Sequence, residues 1–175
     1  MIRLIGDKRS MAIEYRVANP ASLTAHARLW FEGQQLGSLE DVIYLDGYLL
    51  GCLRDLARKP CLAPRYQNKG AHLLFNILEQ ELGSWNEDDG HDLSEQARPY
   101  LLTCGTLFDC YSVFAHRLDD THGRIMWKIT GDEQAMPFED LRHTSRDICI
   151  ANFSYSELAA LTEEIQAVVG RRSQD

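Results

Sequence analysis

Two β-prone runs, Thr106 to Leu118 and Arg124 to Thr130, joined through the polar loop "DDTHG", constrain this chain more than any other feature. Both runs are rich in Val, Ile, Phe, Tyr and Trp, the types that suit a packed, pleated surface. The loop between them ends in Gly123 and has the length of a hairpin connection. In the first run both parities are apolar, with Tyr111, Val113 and Ala115 on one face and Cys110, Phe114 and Leu118 on the other. A strand apolar on both faces is usually covered on both. The hairpin is therefore expected at the centre of a sheet.

Upstream, Met11 to Ala18 alternates, with Met11, Ile13, Tyr15 and Val17 set against Glu14 and Arg16. Pro20 interrupts, because it cannot donate to a ladder. Thr24 to Glu32 alternates again: Ala25, Ala27, Leu29 and Phe31 inward, His26, Arg28, Trp30 and Glu32 outward. Gly33 and Gly37 bracket a tight return. The N-terminal third thus reads as an antiparallel meander with Trp30 standing among charges on its outer face.

A helix is expected next, opened by a capping box of Ser38 and Asp41 and stopped by Pro60. Its inner stripe reads Val42, Leu45, Leu49, Cys52, Leu53 and Leu56, with Gly47 and Gly51 allowing close approach to the sheet. A second helix runs from Ala71 to Leu82, with Leu74, Ile77, Leu78 and Leu82 inward and Gly83 as a left-handed cap. Ser84 to Gln96 reads as a long exposed loop. The polar stretch after the hairpin has room for one helical turn, and Asp147 to Phe153 reads as a short buried strand. A final helix opens on a capping box of Ser154 and Glu157, with Phe153 and Leu158 as a hydrophobic staple. Leu158, Leu161, Ile165 and Val168 form its inner stripe, and Gly170 is expected to end it. The class is α+β: a mainly antiparallel sheet of five to seven strands with three helices packed against it. Residues 1–175 are expected to form a single domain with a frayed tail at 171–175.

Charge and cysteines bound the function. The chain has 18 basic and 26 acidic residues, a formal net charge of −8. That balance argues against a nucleic-acid or anionic-membrane surface and suits a basic partner. Five cysteines without a C-x-x-C pair fit reduced thiols better than a disulfide framework. No signal peptide is visible, and the apolar runs are far shorter than the ~20 residues a membrane span needs. A cytoplasmic protein is expected.

Catalytic and metal patterns are weak. Cys104, Cys110, His116 and His122 recur every six residues, which along a strand is about 20 Å, whereas ligands of one metal lie within ~4 Å. No G-x-S-x-G, H-E-x-x-H, P-loop or dinucleotide fingerprint is present. Asp109 beside Cys110 invites a thiol mechanism with His116 or His122 as base, but strand neighbours point to opposite faces. The reading is no enzyme, no metal and no cofactor. What stands out is acidity: Glu87, Asp88, Asp89, Asp92 and Glu95 crowd one loop that begins at Trp85, and Asp119 and Asp120 tip the hairpin. Such charge steers a basic partner, and Trp85 and Trp30 are of the type that anchors an interface. These nine residues are the candidate contact set.

The segments "IGDKRSMAIEY", "ARLWFEGQQLG", "LFDCYSVF" and "GRIMWKI" resemble the immunity protein 42 family of bacterial polymorphic-toxin systems. The resemblance rests on Gly6, Asp7, Ala12, Ile13, Glu14, Trp30, Gly33, Gly37, Phe108, Asp109 and Trp127. Met11 stands where an aromatic is expected, and Ser84 to Gln96 looks like an added segment. The resemblance implies a cytosolic protein that binds one cognate toxin, delivered by a type VI or contact-dependent system, and blocks it. It carries over no catalytic residue, and Asp7, Glu14 and Asp109 could serve structure as readily as contact. A nuclease toxin with a basic groove is the expected partner. A small-molecule-binding or regulatory adaptor with a pocket between sheet and helices is the other reading. Homodimerisation through an edge strand or Trp30 stays open.

Overall fold

The computed structural model describes residues 1–84 and 93–172, with side chains through 170. Eight strands form two antiparallel sheets among them. In the first, β1 (Arg3–Gly6), β2 (Met11–Asn19), β3 (Thr24–Phe31) and β4 (Gln34–Leu36) lie in chain order, and β5 (Ile43–Tyr44) also pairs with β3. In the second, β7 (His122–Ile129) is central between β6 (Tyr111–Arg117) and β8 (Cys149–Ser154). Five α-helices accompany them: α1 (Gly51–Ala57), α2 (Ala71–Gly83), α3 (Ser94–Ala97), α4 (Glu139–Arg142) and α5 (Tyr155–Arg172). The α+β class holds, with the strands divided between two sheets and two of the helices only one turn long.

The division follows from the alternation. Along β3, Ala25, Ala27, Leu29 and Phe31 are fully buried while His26, Arg28 and Trp30 are only partly covered, as the two-residue period requires. The inner faces of both sheets meet in one apolar cluster closed by α1 and α5. Phe31 bridges the sheets there, its ring 6.0 Å from Trp127 and 6.1 Å from Phe153.

The second sheet is covered on both faces, as the doubly apolar run predicts, although Leu118 is exposed and Cys110 packs on the main cluster rather than beside Phe114. Tyr111, Val113, Ala115, Ile125 and Trp127 face the main cluster. Phe114 and Met126 point the other way, into a smaller cluster under α2 with Tyr66, Leu74, Phe75 and Leu78. Polar ties reinforce this layer: Glu79 of α2 accepts from Ser112 at 2.8 Å and from Lys128 at 2.7 Å. The buried Lys59, just past α1, donates to the carbonyls of Leu101 (2.6 Å) and Pro99 (3.3 Å) and pairs with Asp55.

Local expectations fail where a long-range partner or a turn wins. Thr106 to Cys110 is not strand but a run of turns with Gly105 at φ +52°, so β6 starts only at Tyr111. Ser38 does not cap the following helix. Its hydroxyl donates to Asp140, the chain first enters β5, and helical structure begins as a π-helical stretch at Leu45–Leu50. Val42 is accordingly exposed. A Cβ at Gly47 or Gly51 would meet nothing, so neither marks a close approach. Gly83 is not left-handed, and α5 continues past Gly170 to Arg172. The Ser154 cap is real: its Oγ accepts from the Glu157 N–H at 3.2 Å and donates to the Glu157 carboxylate at 2.8 Å. Strand β1, which lacks clear alternation, is an addition to the expected meander.

Candidate functional site

Of the nine candidate contact residues, Trp85, Glu87, Asp88, Asp89 and Asp92 lie outside the described residues. The other four fall on three separate elements, and no hydrogen bond or ion pair links those elements' candidates. Glu95 sits on α3, exposed and paired with Arg98 at 3.4 Å. Asp119 and Asp120 form the tip of the β6–β7 hairpin. Trp30 stands on the outer face of the first sheet.

The hairpin tip is built around Asp119. One carboxylate oxygen accepts from the Thr121 N–H (2.7 Å), the Thr121 hydroxyl (2.6 Å) and the His122 N–H (2.8 Å). An aspartate bonding its own backbone two and three residues on stabilises a tight turn. These bonds, led by the Thr121 hydroxyl, hold the Asp119 carboxyl at about 2, so it stays ionised. Asp120, beside it, is exposed and faces a cleft of about 450 Å³ between α1 and α5. Leu53, Ala57 and Leu158 form apolar walls there, while Arg54, Arg117 and Glu163 supply charge. Arg117 lies 4.4 Å from the Tyr155 ring centre and donates to the Ala57 carbonyl at 3.3 Å.

A second constellation surrounds Trp30. One oxygen of the buried Glu14 accepts from Arg28 Nε (2.8 Å), Trp30 Nε1 (2.9 Å) and Lys8 Nζ (3.0 Å). Lys8 Nζ and the Arg28 guanidinium lie 4.2 and 5.0 Å from the Trp30 ring centre. Burial alone would raise the Glu14 carboxyl, but the bonds from Arg28, Lys8 and Trp30 overcome it and hold the group at about 2. Trp30 is thus pinned by its indole N–H and flanked by two cations. The outward parity of β2 and β3 marked Glu14, Arg28 and Trp30 in the sequence. Lys8, arriving from the β1–β2 turn, carried no such signal.

The thiols and imidazoles of the six-residue spacing form no cluster, although Cys104 meets Cys52. Cys104 is buried and 3.6 Å from the Tyr48 carbonyl, His116 is buried, and His122 is exposed at the hairpin. Among the described residues no three His, Cys, Asp or Glu side chains stand where they could hold one metal ion. Burial, with Asp109 and Asp41 nearby, pushes the Cys110 thiol up, and burial pushes the His116 imidazole down. A thiol so placed is a poor nucleophile. Of the residues that could serve either structure or contact, Asp7 caps its own turn, accepting from the Arg9 N–H at 2.9 Å.

A model of the immunity protein 42 family matches residues 1–170. The chain belongs to the immunity protein 42 family. No curated protein and no solved structure gives a significant match. Membership makes this an immunity protein, whose role is to bind a cognate toxin. The hairpin tip and the Trp30 face are two built, charged surfaces among the described residues. No helix among those residues is long and apolar enough to cross a membrane.

Proposed function

We propose that this immunity protein is a non-enzymatic inhibitor that meets a basic face of its toxin with its acidic surface, in the cytoplasm of the producing cell. The observation that carries the reading is the hairpin tip, where Asp119 is locked in its ionised form beside the exposed Asp120. A carboxylate already fixed by its turn loses little freedom on binding, and grouped negative charge speeds encounter with a positive partner. Occupying a toxin's substrate groove in this way imitates phosphate charge, which makes a nuclease effector, delivered by a type VI or contact-dependent system, the toxin class that fits. Glu87, Asp88, Asp89, Asp92 and Glu95 extend the same acidic character in sequence, with Trp85 beside them as an aromatic anchor.

The experiment is co-expression with the toxin domain encoded beside this chain, followed by co-purification and growth. Equal-stoichiometry capture and restored growth support the reading. Unchanged affinity and salt dependence after reversing Asp120, together with Asp88, Asp89 and Asp92, to Lys would remove the acidic surface from it. A small-molecule-binding or regulatory role is favoured by one feature alone, the apolar cleft between α1 and α5. A metabolite that raises the melting temperature in the wild-type chain but not after filling the cleft with Ala159→Trp would select it.

A further inference from the structure

The outer face of the first sheet carries a pocket with unused hydrogen-bond donors. Across the β2–β3 ladder Arg16 stands opposite His26 and Glu14 opposite Arg28, all with outward parity. Such cross-strand neighbours lie side by side on one face. Arg16, His26 and Arg28 line a pocket of about 320 Å³ together with Ile2, Leu39, Glu40 and Asp140.

Each carboxylate oxygen of the pocket is held by a donor of the protein itself, whereas several of the pocket's own donors are not used. Glu40 accepts the N–H groups of Glu139 (2.8 Å) and Asp140 (3.3 Å). Asp140 accepts the Ser38 hydroxyl (2.6 Å) and the Leu39 N–H (3.1 Å). All four carboxylate oxygens therefore already face donors from the protein itself. The Arg16 guanidinium, by contrast, is exposed and has no partner among the described residues. The buried His26 Nδ1 has none either. Arg28 uses Nε on Glu14 and Nη1 on Gln35, which leaves Nη2 free among the described residues. Exposed Ile2 and Leu4, and Trp30 between its cations, continue the face. Arginine, an aromatic and scattered apolar side chains are the composition of a protein interface. With a net charge of −8 on the whole chain, a patch this small does not suit a nucleic acid.

We infer that this face docks an acidic segment of the cognate toxin, one carboxylate side chain entering the pocket to pair with Arg16 and Arg28. The inference rests on the toxin-binding role. It gives the chain a second contact surface, read by placed arginine donors rather than by net charge.

The test is titration calorimetry of the toxin domain encoded beside this chain against wild type, Arg16→Glu and Arg16→Lys. Arg16 is exposed and unpartnered, so neither change should alter the melting temperature. The expected result is at least tenfold weaker binding for Arg16→Glu and a loss under fivefold for Arg16→Lys. Binding of Arg16→Glu within twofold of wild type overturns the inference and leaves neutralisation standing. A wild-type chain that binds no toxin domain overturns both together. A toxin-free dimer in sedimentation that Arg16→Glu disperses assigns the face to a second copy and also overturns it.

Discussion

The Ser38 hydroxyl donates a 2.6 Å hydrogen bond to the Asp140 carboxylate, 102 residues further along the chain. The adjoining Leu39 N–H takes the other oxygen of Asp140, and Glu40 answers by accepting the first two N–H groups of α4. This reciprocal clamp fixes the link between β4 and β5 against the polar connection before β8. Asp140→Ala leaves the buried Ser38 hydroxyl and the Leu39 N–H without their acceptor. The expected cost is about 2–3 kcal/mol, read as a fall in melting temperature of roughly 5–10 °C.

Glu14 concentrates three donors on one oxygen. Glu14→Gln removes the charge that Lys8 and Arg28 share while leaving both cations in place. A loss of about 2–4 kcal/mol in urea unfolding is expected. Lys8→Met, which removes one cation and keeps the other two bonds, should cost less than half of that.

The same group sets an acid limit. Its folded value of about 2 lies below the ordinary 4.5. The unfolded chain therefore binds the proton first, and stability present above pH 4.5 drains away as pH falls toward 2. The contribution is on the order of 3 kcal/mol. Wild-type unfolding free energy should fall steeply across that window, and the slope should flatten in Glu14→Gln.

Gly123 lies directly opposite Phe153 in the β7–β8 ladder, and a Cβ there would come within 2.3 Å of the Phe153 ring. That ring is buried and packed on Phe31 and Tyr155, so it cannot swing aside. Gly123→Ala should destabilise by about 1–3 kcal/mol through overpacking. Gly33→Ala, where no atom lies near the added carbon, tests only its φ of +79° and should cost less.

Asp119 and Asp120 should separate structure from recognition. Asp120→Lys, at an exposed position with no bond to lose, should leave stability within ~0.5 kcal/mol while slowing toxin association about tenfold at low salt. Asp119→Lys removes the acceptor of the turn and should loosen the hairpin as well. The two effects are read by stopped-flow association and by amide exchange at Thr121 and His122.

Period-two patterning made β2, β3 and both faces of β6 readable from sequence, because burial on a pleated strand is a local consequence of parity. The Ser154 cap was readable for the same reason, since its partner is three residues away. Ser38 misled because the sequence near it offers a capping box while its actual partner, Asp140, lies in a distant one-turn helix. The division into two sheets was hidden likewise, since it depends on which inner faces meet through Phe31, Trp127 and Phe153. For the proposed contact surface, composition pointed first to the acidic loop holding Glu87, Asp88, Asp89, Asp92 and Glu95, most of which lies outside the described residues, and then to the hairpin tip. The donor-lined pocket depends on Arg16, His26 and Arg28 coming together with the Glu40 and Asp140 carboxylates, a meeting that no local pattern encodes.

The two sheets differ in one respect with a lasting effect: α2 covers the far side of the second, while the outward side chains of β3 in the first stay only partly covered among the described residues. In β3, positions 25, 27, 29 and 31 hold the interior, and positions 26, 28 and 30 meet the surroundings. Folding is thereby written on alternate letters of one strand, and the letters between are left open to the recognition proposed for this face. A lineage of such chains can track a changing adversary at one set of letters while the other stays put.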